Sequence, residues 1–445
     1  MNKRRTVLCF ACAVLLLSSV LCGCEIGPHS IESLMRPPRA AGEQKLEKAL
    51  NAALGSGFSL SVPQSGQYHT AITLFDLNGD QTEEAVVFYS PDPDSVHLCV
   101  LQMNADTWEK VEDLTGDGNG VYSLDFADLN GDGFSEIFVG WSMYNDKTKK
   151  ILSVYSGSSA DGRLAFTLCA TEAYDHYLLA DGNGSGVKQL FLAYADSAQA
   201  PIAAVIKRFS LSASGQIVPA GTLQMDPRVV RIESLLCDQP EGERHPRLFA
   251  DAILADNRMI TDVFLWSDDQ NDYFCPFRQK DGERNTVTLR SGTVKSADVD
   301  RDGLIEIPLR RKFNQSKEDD PSLGYLLTWC SLQGQEPVEK VCFAVNVAEN
   351  YRLLFPKEWN GKVFVQYTDA PLWSFVNQNG EPLFSIAVQK SDSPGSDNTT
   401  ASVLDDTSAP GTTYSCQVTE KGRAFGINDE MLKENFEYDA GGNAK

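Results

Sequence analysis

Three observations predict a mainly β chain, a β-propeller of about five to seven four-stranded blades followed by a small α+β C-terminal domain. An acidic turn pattern begins at 76, 128 and 181, so its copies stand 52 and 53 residues apart. Each copy runs straight into a short apolar segment of strand character, and within a repeat unit no helical period outlasts two turns.

The 445 residues carry 39 Lys+Arg against 61 Asp+Glu, a net charge of −22, with 42% hydrophobic and 22% charged residues. That composition can bury a core, and the length suits two or three domains, or one repeat architecture with an appendage. The acidity argues against nucleic acid as a partner, because neutralising phosphates needs clustered Lys and Arg, and no basic stripe follows residue 5. It argues equally against adhesion to anionic lipid through surface charge.

Met1-Asn2-Lys3-Arg4-Arg5 is basic, residues 7–20 are apolar, and small residues follow at once, the pattern of an export signal over 1–23. Its end, Leu21-Cys22-Gly23-Cys24, resembles the bacterial lipobox. The resemblance implies that Cys24 is the lipidated first mature residue and that the protein is held by lipid on the extracellular face of the cell membrane. An ordinary cleaved signal with incidental cysteines is the alternative. Loss of Lys3, Arg4 and Arg5 with the signal takes the net charge from −22 to −25. Four of the eleven cysteines belong to the signal, leaving Cys99, Cys169, Cys237, Cys275, Cys330, Cys342 and Cys416. An odd number at wide spacing with no C-x-x-C supports neither a zinc knuckle nor a redox pair, so buried free thiols are expected. Cys330 with Cys342 is the pair to test for a disulfide.

Residues 24–44 read as a tether, broken by Gly27-Pro28 and Pro37-Pro38. From 45 to 345 the chain is expected to hold one helix and the propeller. Leu46, Ala49, Leu50, Ala53 and Leu54 recur at helical spacing, and Gly55 follows where a C-cap glycine belongs.

The repeat has oxygen-bearing side chains at positions 1, 3, 5 and 9. Asp76, Asn78, Asp80 and Glu84 form the first copy, Asp128, Asn130, Asp132 and Glu136 the second, and Asp298, Asp300, Asp302 and Glu306 another. A weaker copy has Asp181, Asn183, Ser185 and Gln189. From 181 to 298 is 117 residues, room for two more periods, and a decayed copy around Asp238 fills the gap. Apolar stretches at 123–127, 137–141, 151–156 and 164–170 give four strands to one unit. A single sheet of that size cannot bury both faces, so units must stack, radially as propeller blades or linearly as a β-solenoid with its normally shorter repeat.

Asp128-Leu129-Asn130-Gly131-Asp132-Gly133 and Asp298-Val299-Asp300-Arg301-Asp302-Gly303, each followed by Glu-Ile, resemble the repeats of bacterial VCBS/FG-GAP proteins, whose blades are like those of the integrin alpha propeller. The resemblance spans roughly residues 60 to 345. It implies turns that bind calcium and a role in adhesion or ligand binding, not catalysis. Calcium takes six to eight oxygens, so the backbone carbonyls at position 7, those of Thr82, Phe134 and Leu304, would join the side chains above. The alternative is that Asp-Leu-Asn-Gly-Asp-Gly is simply good turn chemistry between strands. An EF-hand is excluded because position 12 holds Val87, Val139 and Leu309 where a bidentate Glu is required.

Carboxylates packed by threes and fours in single loops demand a cation and do not make the separated acid pair of a glycosidase. H-E-x-x-H is absent, the run around Ser185 fails G-x-S-x-G because residue 183 is Asn, and the five histidines are isolated. The expected function is therefore a membrane-anchored, calcium-stabilised binding, adhesion or scaffold module for a protein or glycan, with no catalysis. The alternative is an extracellular enzyme, or an accessory to one, acting on polysaccharide or peptide. Residues 346–445 are expected to form the small α+β module, with strands near 351–355, 363–365, 373–376, 383–388 and 414–418, a flexible loop over 391–413, and a terminal helix over 428–436.

Overall fold

Strands pair with their neighbours in sequence because tight polar turns separate apolar runs, and the result is a series of antiparallel meanders. The computed structural model describes residues 41–55, 57–143, 146–196, 203–278, 284–311, 324–369, 371–390 and 401–438. The expected signal, Cys24, most of the tether and the first part of the 391–413 loop lie outside the described residues.

A helix, α1 (Ala41–Leu54), precedes six sheets. Sheet 1 holds β1 (Ser59–Leu60), β2 (Ile72–Phe75), β3 (Glu84–Ser90), β4 (His97–Asn104) and β5 (Thr107–Thr115), with β1 and β2 both on β3. Sheet 2 is β6 (Gly120–Ala127), β7 (Glu136–Met143), β8 (Asp146–Ala160) and β9 (Arg163–Tyr174). Sheet 3 is β10 (His176–Ala180), β11 (Gln189–Asp196), β12 (Ala203–Leu211) and β13 (Ile217–Gln224). Sheet 4 is β14 (Val229–Asp238), β15 (Arg247–Leu254) and β16 (Arg258–Ser267), with β17 (Asp272–Phe274) and β18 (Arg290–Ser291) both on β16. Sheet 5 is β19 (Ile307–Arg311), β20 (Gly324–Gln333), β21 (Glu336–Asn346) and β22 (Tyr351–Leu354). Sheet 6 runs β23 (Val363–Asp369), β24 (Leu372–Asn377), β25 (Pro382–Lys390), β27 (Thr412–Val418), β26 (Ser402–Asp405). Two short helices follow, α2 (Glu420–Ala424) and α3 (Asp429–Glu434), and β28 (Phe436–Tyr438) returns to the edge of sheet 5 beside β22.

Consecutive sheets pack face to face, which explains why β3, β7 and β15 are buried on both faces while β5, near the outside, alternates. Val86 and Phe88 of β3 meet Leu124, Val139 and Trp141 of sheet 2, and Phe138 and Leu152 on the opposite face of sheet 2 meet Leu190 and Phe209 of sheet 3. Phe191 and Ile206 meet Leu248 and Ile260; Phe249 and Val263 meet Ile307 and Cys330; Ala344 and Leu353 meet Phe375 and Ile386 of sheet 6. The architecture is thus mainly β, as predicted, with sheets of blade type packed in chain order. The remaining face of β3, Ala85, Val87 and Tyr89, is covered by Leu46 and Leu50 of α1. Among the described residues no apolar cluster joins sheet 1 to sheet 6; α1 takes the place next to sheet 1 that a closing sheet would fill. The helix ends as expected, Gly55 donating its N–H to the Asn51 carbonyl at 3.1 Å from a left-handed φ of 81°.

Residues after 345 depart from expectation in three places. Within 391–413, residues 402–405 form a strand because Leu404 is buried against the sheet 6 core, an apolar anchor hidden in a polar stretch. The terminal helix is shorter than 428–436: Asn428 caps it by accepting from the Met431 N–H at 2.8 Å, and Phe436 leaves it to start β28. Because β22 and β28 both extend sheet 5, this part of the chain is tied into the repeat region. All seven cysteines among the described residues are free thiols, but Cys237 is exposed, not buried. Cys330 and Cys342 lie on adjacent strands yet face Glu339 and Thr328 across the ladder, a register that keeps them from bridging.

Removing the α1 contact is expected to be costly. Leu50→Ala should lower stability by about 2–5 kcal/mol in urea melts, because the emptied site is walled by a rigid sheet.

Candidate metal centre

The five turn copies occupy equivalent places in the fold, between β2 and β3 in sheet 1, between the first and second strands of sheets 2 to 4, and just before β19 in sheet 5, where a bridge between Ala297 and Glu306 stands in for the preceding strand. The position-1 carboxylate organises the turn. Asp128 accepts from the N–H of Gly131 at 2.7 Å and Gly133 at 3.0 Å, Asp76 from Gly79 at 2.8 Å and Gln81 at 2.9 Å, and Asp298 from Asp302 at 3.1 Å and Gly303 at 2.9 Å. Position 5 accepts from position 7 in the same manner: Asp80 from Thr82 at 2.7 Å, Asp132 from Phe134 at 2.8 Å, Asp302 from Leu304 at 2.9 Å. In the first two turns the position-3 amide bridges the pair, Asn78 Nδ2 donating to Asp80 Oδ2 at 3.0 Å and Asn130 Nδ2 to Asp132 Oδ2 at 2.8 Å.

The position-9 glutamate is buried in every copy that keeps it. One oxygen reaches back to the N–H of position 2: Glu84 to Leu77 at 3.0 Å, Glu136 to Leu129 at 2.8 Å, Glu306 to Val299 at 3.0 Å. The other oxygen differs from turn to turn. Glu136 Oε1 accepts from Ser156 Oγ at 3.1 Å, Glu84 Oε1 is buried without a hydrogen-bond partner, and Glu306 Oε1 lies 3.2 Å from Lys340 Nζ. Burial pushes the Glu84 and Glu136 carboxyls up to about 7, the backbone amides of Leu77 and Leu129 opposing and the turn aspartates adding to the rise. Burial raises Glu306 as well.

Of the residues expected to hold metal, the structure brings Asp298, Asp300 and Glu306 together, their ligand oxygens within 4.8 Å of one another; among the described residues no other group of three acids does so. The position-1 and position-5 aspartates of all three turns, Asp298 and Asp302 included, also accept from turn amides, and Cys24 lies outside the described residues.

Two cations were not foreseen. In the fifth turn Lys340 of β21 contacts Asp300 at 2.7 Å, Asp302 and Glu306. In the decayed fourth turn Arg247 grips Asp238 with two bonds of 2.7 Å, both side chains buried, while Asp238 Oδ2 also accepts from Ile305 N–H at 2.7 Å. Arg247 sits where the motif loses its glutamate, so a charge reversal at the strand entry was a usable signal; Lys340 needed the register of β20 with β21. Gln189 keeps the buried position of the third turn as an amide, donating to Ser210 Oγ at 2.9 Å.

The raised carboxyls fix the sign of a pH effect. With folded values of about 7 against an ordinary 4.5, the unfolded chain releases these protons first, so stability present below about pH 4.5 is lost as pH rises to about 7. In chelator, the urea midpoint should fall from about pH 5 to about pH 7.5, and Glu136→Gln should flatten part of that slope.

No curated protein sequence matches the chain. Among solved structures, β-fructofuranosidase from Schwanniomyces occidentalis complexed with fructosyl-erythritol aligns over 74% of this chain and 78% of its own, at 11% identity and a TM-score of 0.29, too loose a likeness to bear on fold or activity. The FG-GAP-like repeat family matches residues 76–139, the stretch that holds the first two acidic turns and the strands joining them.

Proposed function

We propose that the protein is a binding or scaffold module, stabilised by calcium at the turns 76–84, 128–136 and 298–306, and anchored by lipid on Cys24 to the extracellular face of the membrane. The observation that carries the calcium reading is the buried second oxygen of Glu84, aimed into a turn with Asp76 and Asp80 and lacking any hydrogen-bond partner. A buried carboxylate in that state favours a proton or a cation, and the all-oxygen donor set suits a hard divalent ion. The first two turns have the family's repeat pattern, and the fifth gathers three acids.

The anchor rests on the sequence around Leu21-Cys22-Gly23-Cys24. Among the described residues no helix is long and apolar enough to cross a membrane. A protein of this acidity would need such an anchor to stay at an anionic surface. The reading includes no catalytic step, and the partner is a protein or glycan met through the sheet edges and turns.

Two measurements test it. Calcium should raise the melting temperature of the full-length protein, more at about pH 7.5 than at about pH 5, where protons compete for the buried acids; terbium luminescence and calorimetry with no binding up to millimolar calcium would refute the metal reading. Labelled palmitate should follow the wild-type protein into membranes and be lost with Cys24→Ala; equal membrane retention of the variant would refute the anchor.

A further inference from the structure

The fifth turn has Arg301 where the first two have Gly79 and Gly131, and it differs from them at position 3 in a way that bears on the acids directly. Position 3 is Asn78 or Asn130 in those turns, and its amide donates to the position-5 aspartate. In the fifth turn position 3 is Asp300, which has no donor to offer Asp302, so two carboxylates would face each other with nothing between them. Lys340 Nζ lies there instead, on Asp300 at 2.7 Å, on Asp302, and 3.2 Å from the fully buried Glu306. An ammonium carries three donors, and three carboxylates meet it. Against the burial that opposes its charge, these acids raise the Lys340 ammonium above its ordinary range, and the ammonium in turn holds the Asp302 carboxyl below its own.

We infer that Lys340 is a tethered counter-cation seated where a divalent ion would bind in the fifth turn, so that the chain itself supplies part of this turn's countercharge and the turn takes calcium only by displacing the ammonium. The inference rests on the calcium reading of the turns and assigns their regulation: the first two turns are open to an ion, and the fifth is guarded. Among the described residues no Lys or Arg nitrogen pairs with the acids of the first two turns, whereas the equivalent turn of sheet 4 holds Arg247 on Asp238. Built-in cations therefore occur in two adjacent sheets, 4 and 5, and the sheet 4 pair also holds the Ile305 N–H of the fifth turn. The fifth turn, richest in acids by sequence, is on this account the weakest calcium site of the three.

The test compares full-length wild type with Lys340→Met by calorimetry with calcium and by terbium luminescence. The variant should gain one equivalent of bound ion, or bind at this turn at least about tenfold more tightly, the weight of one charged contact. Asp300→Asn added to Lys340→Met should remove the gain. Unchanged stoichiometry and affinity in a variant with native circular dichroism would overturn the inference. Should the methionine variant fail to fold, Lys340→Gln, which removes the charge but keeps an amide donor, is read by the same criteria. Failure of the calcium reading itself shows separately, as a wild type that binds no ion and does not respond to Asp128→Asn.

Discussion

The buried hydrogen bond that the N–H of the second residue donates to the glutamate at position 9, in the three turns that keep that acid, is the constraint on which their sheets depend. Glu84 and Glu136 begin β3 and β7, Glu306 immediately precedes β19, and each ties down the second residue of its own turn. The tie fixes where one strand stops and the next starts. It also buries Leu77 and Leu129 beside the sheet interface, where an unpaired N–H would cost about 1–3 kcal/mol. The turns then touch one another in chain order. Ser135 N–H donates to the Leu77 carbonyl at 2.8 Å, Arg244 to the Gly184 carbonyl at 2.9 Å, and Ile305 N–H to Asp238. A local hydrogen bond thereby becomes a contact between neighbouring sheets, and the spacing of the repeat becomes the spacing of the stack.

A carboxylate in so dry a place needs compensation, and the chain uses a different form of it at each turn. The second turn offers the Ser156 hydroxyl, the third exchanges the acid for Gln189, the fourth abandons the motif for an Arg247 pair with Asp238, and the fifth borrows Lys340 from another strand. Among the described residues, Glu84 keeps an oxygen with no hydrogen-bond partner and no cation beside it; the Gln189 amide oxygen is also unpartnered, and Glu306 Oε1 has only the Lys340 ammonium at 3.2 Å. A tethered cation cannot be removed by a chelator, whereas a metal ion can, so on the proposed calcium reading the turns would differ in their response to chelator. The strong acidity of the chain, which first pointed away from nucleic acid, is in part the cost of carrying these turns.

The repeat, the turn positions and α1 were legible in the sequence because each is local: an Asx pattern with glycines, a trailing apolar run, a leucine stripe ending at Gly55. What escaped was set by distance. Lys340 lies 34 residues beyond Glu306 and reaches it only through the pairing of β20 with β21. β26 was hidden by its Ser, Thr and Asp neighbours, with Leu404 alone to mark it, and β28 by the helical look of the residues before Phe436. Cys237 reads as buried with the other thiols, but near the end of β14, an outer strand of sheet 4, it is exposed while Leu235 and Asp238 are buried. The acids themselves were visible; which of them face a shared centre was not, because a position-1 aspartate that captures turn amides looks the same in sequence as one that holds a metal.

Amide hydrogen exchange at Leu77, Leu129 and Val299 tests the central claim most directly, since these N–H groups are the ones the buried glutamates hold. The account predicts that all three exchange far more slowly than the surrounding glycine amides of the same turns, and that calcium slows Leu77 and Leu129 further while leaving Val299 nearly unchanged. Exchange at Leu77 and Leu129 as fast as at exposed turn amides, with or without calcium, would contradict it.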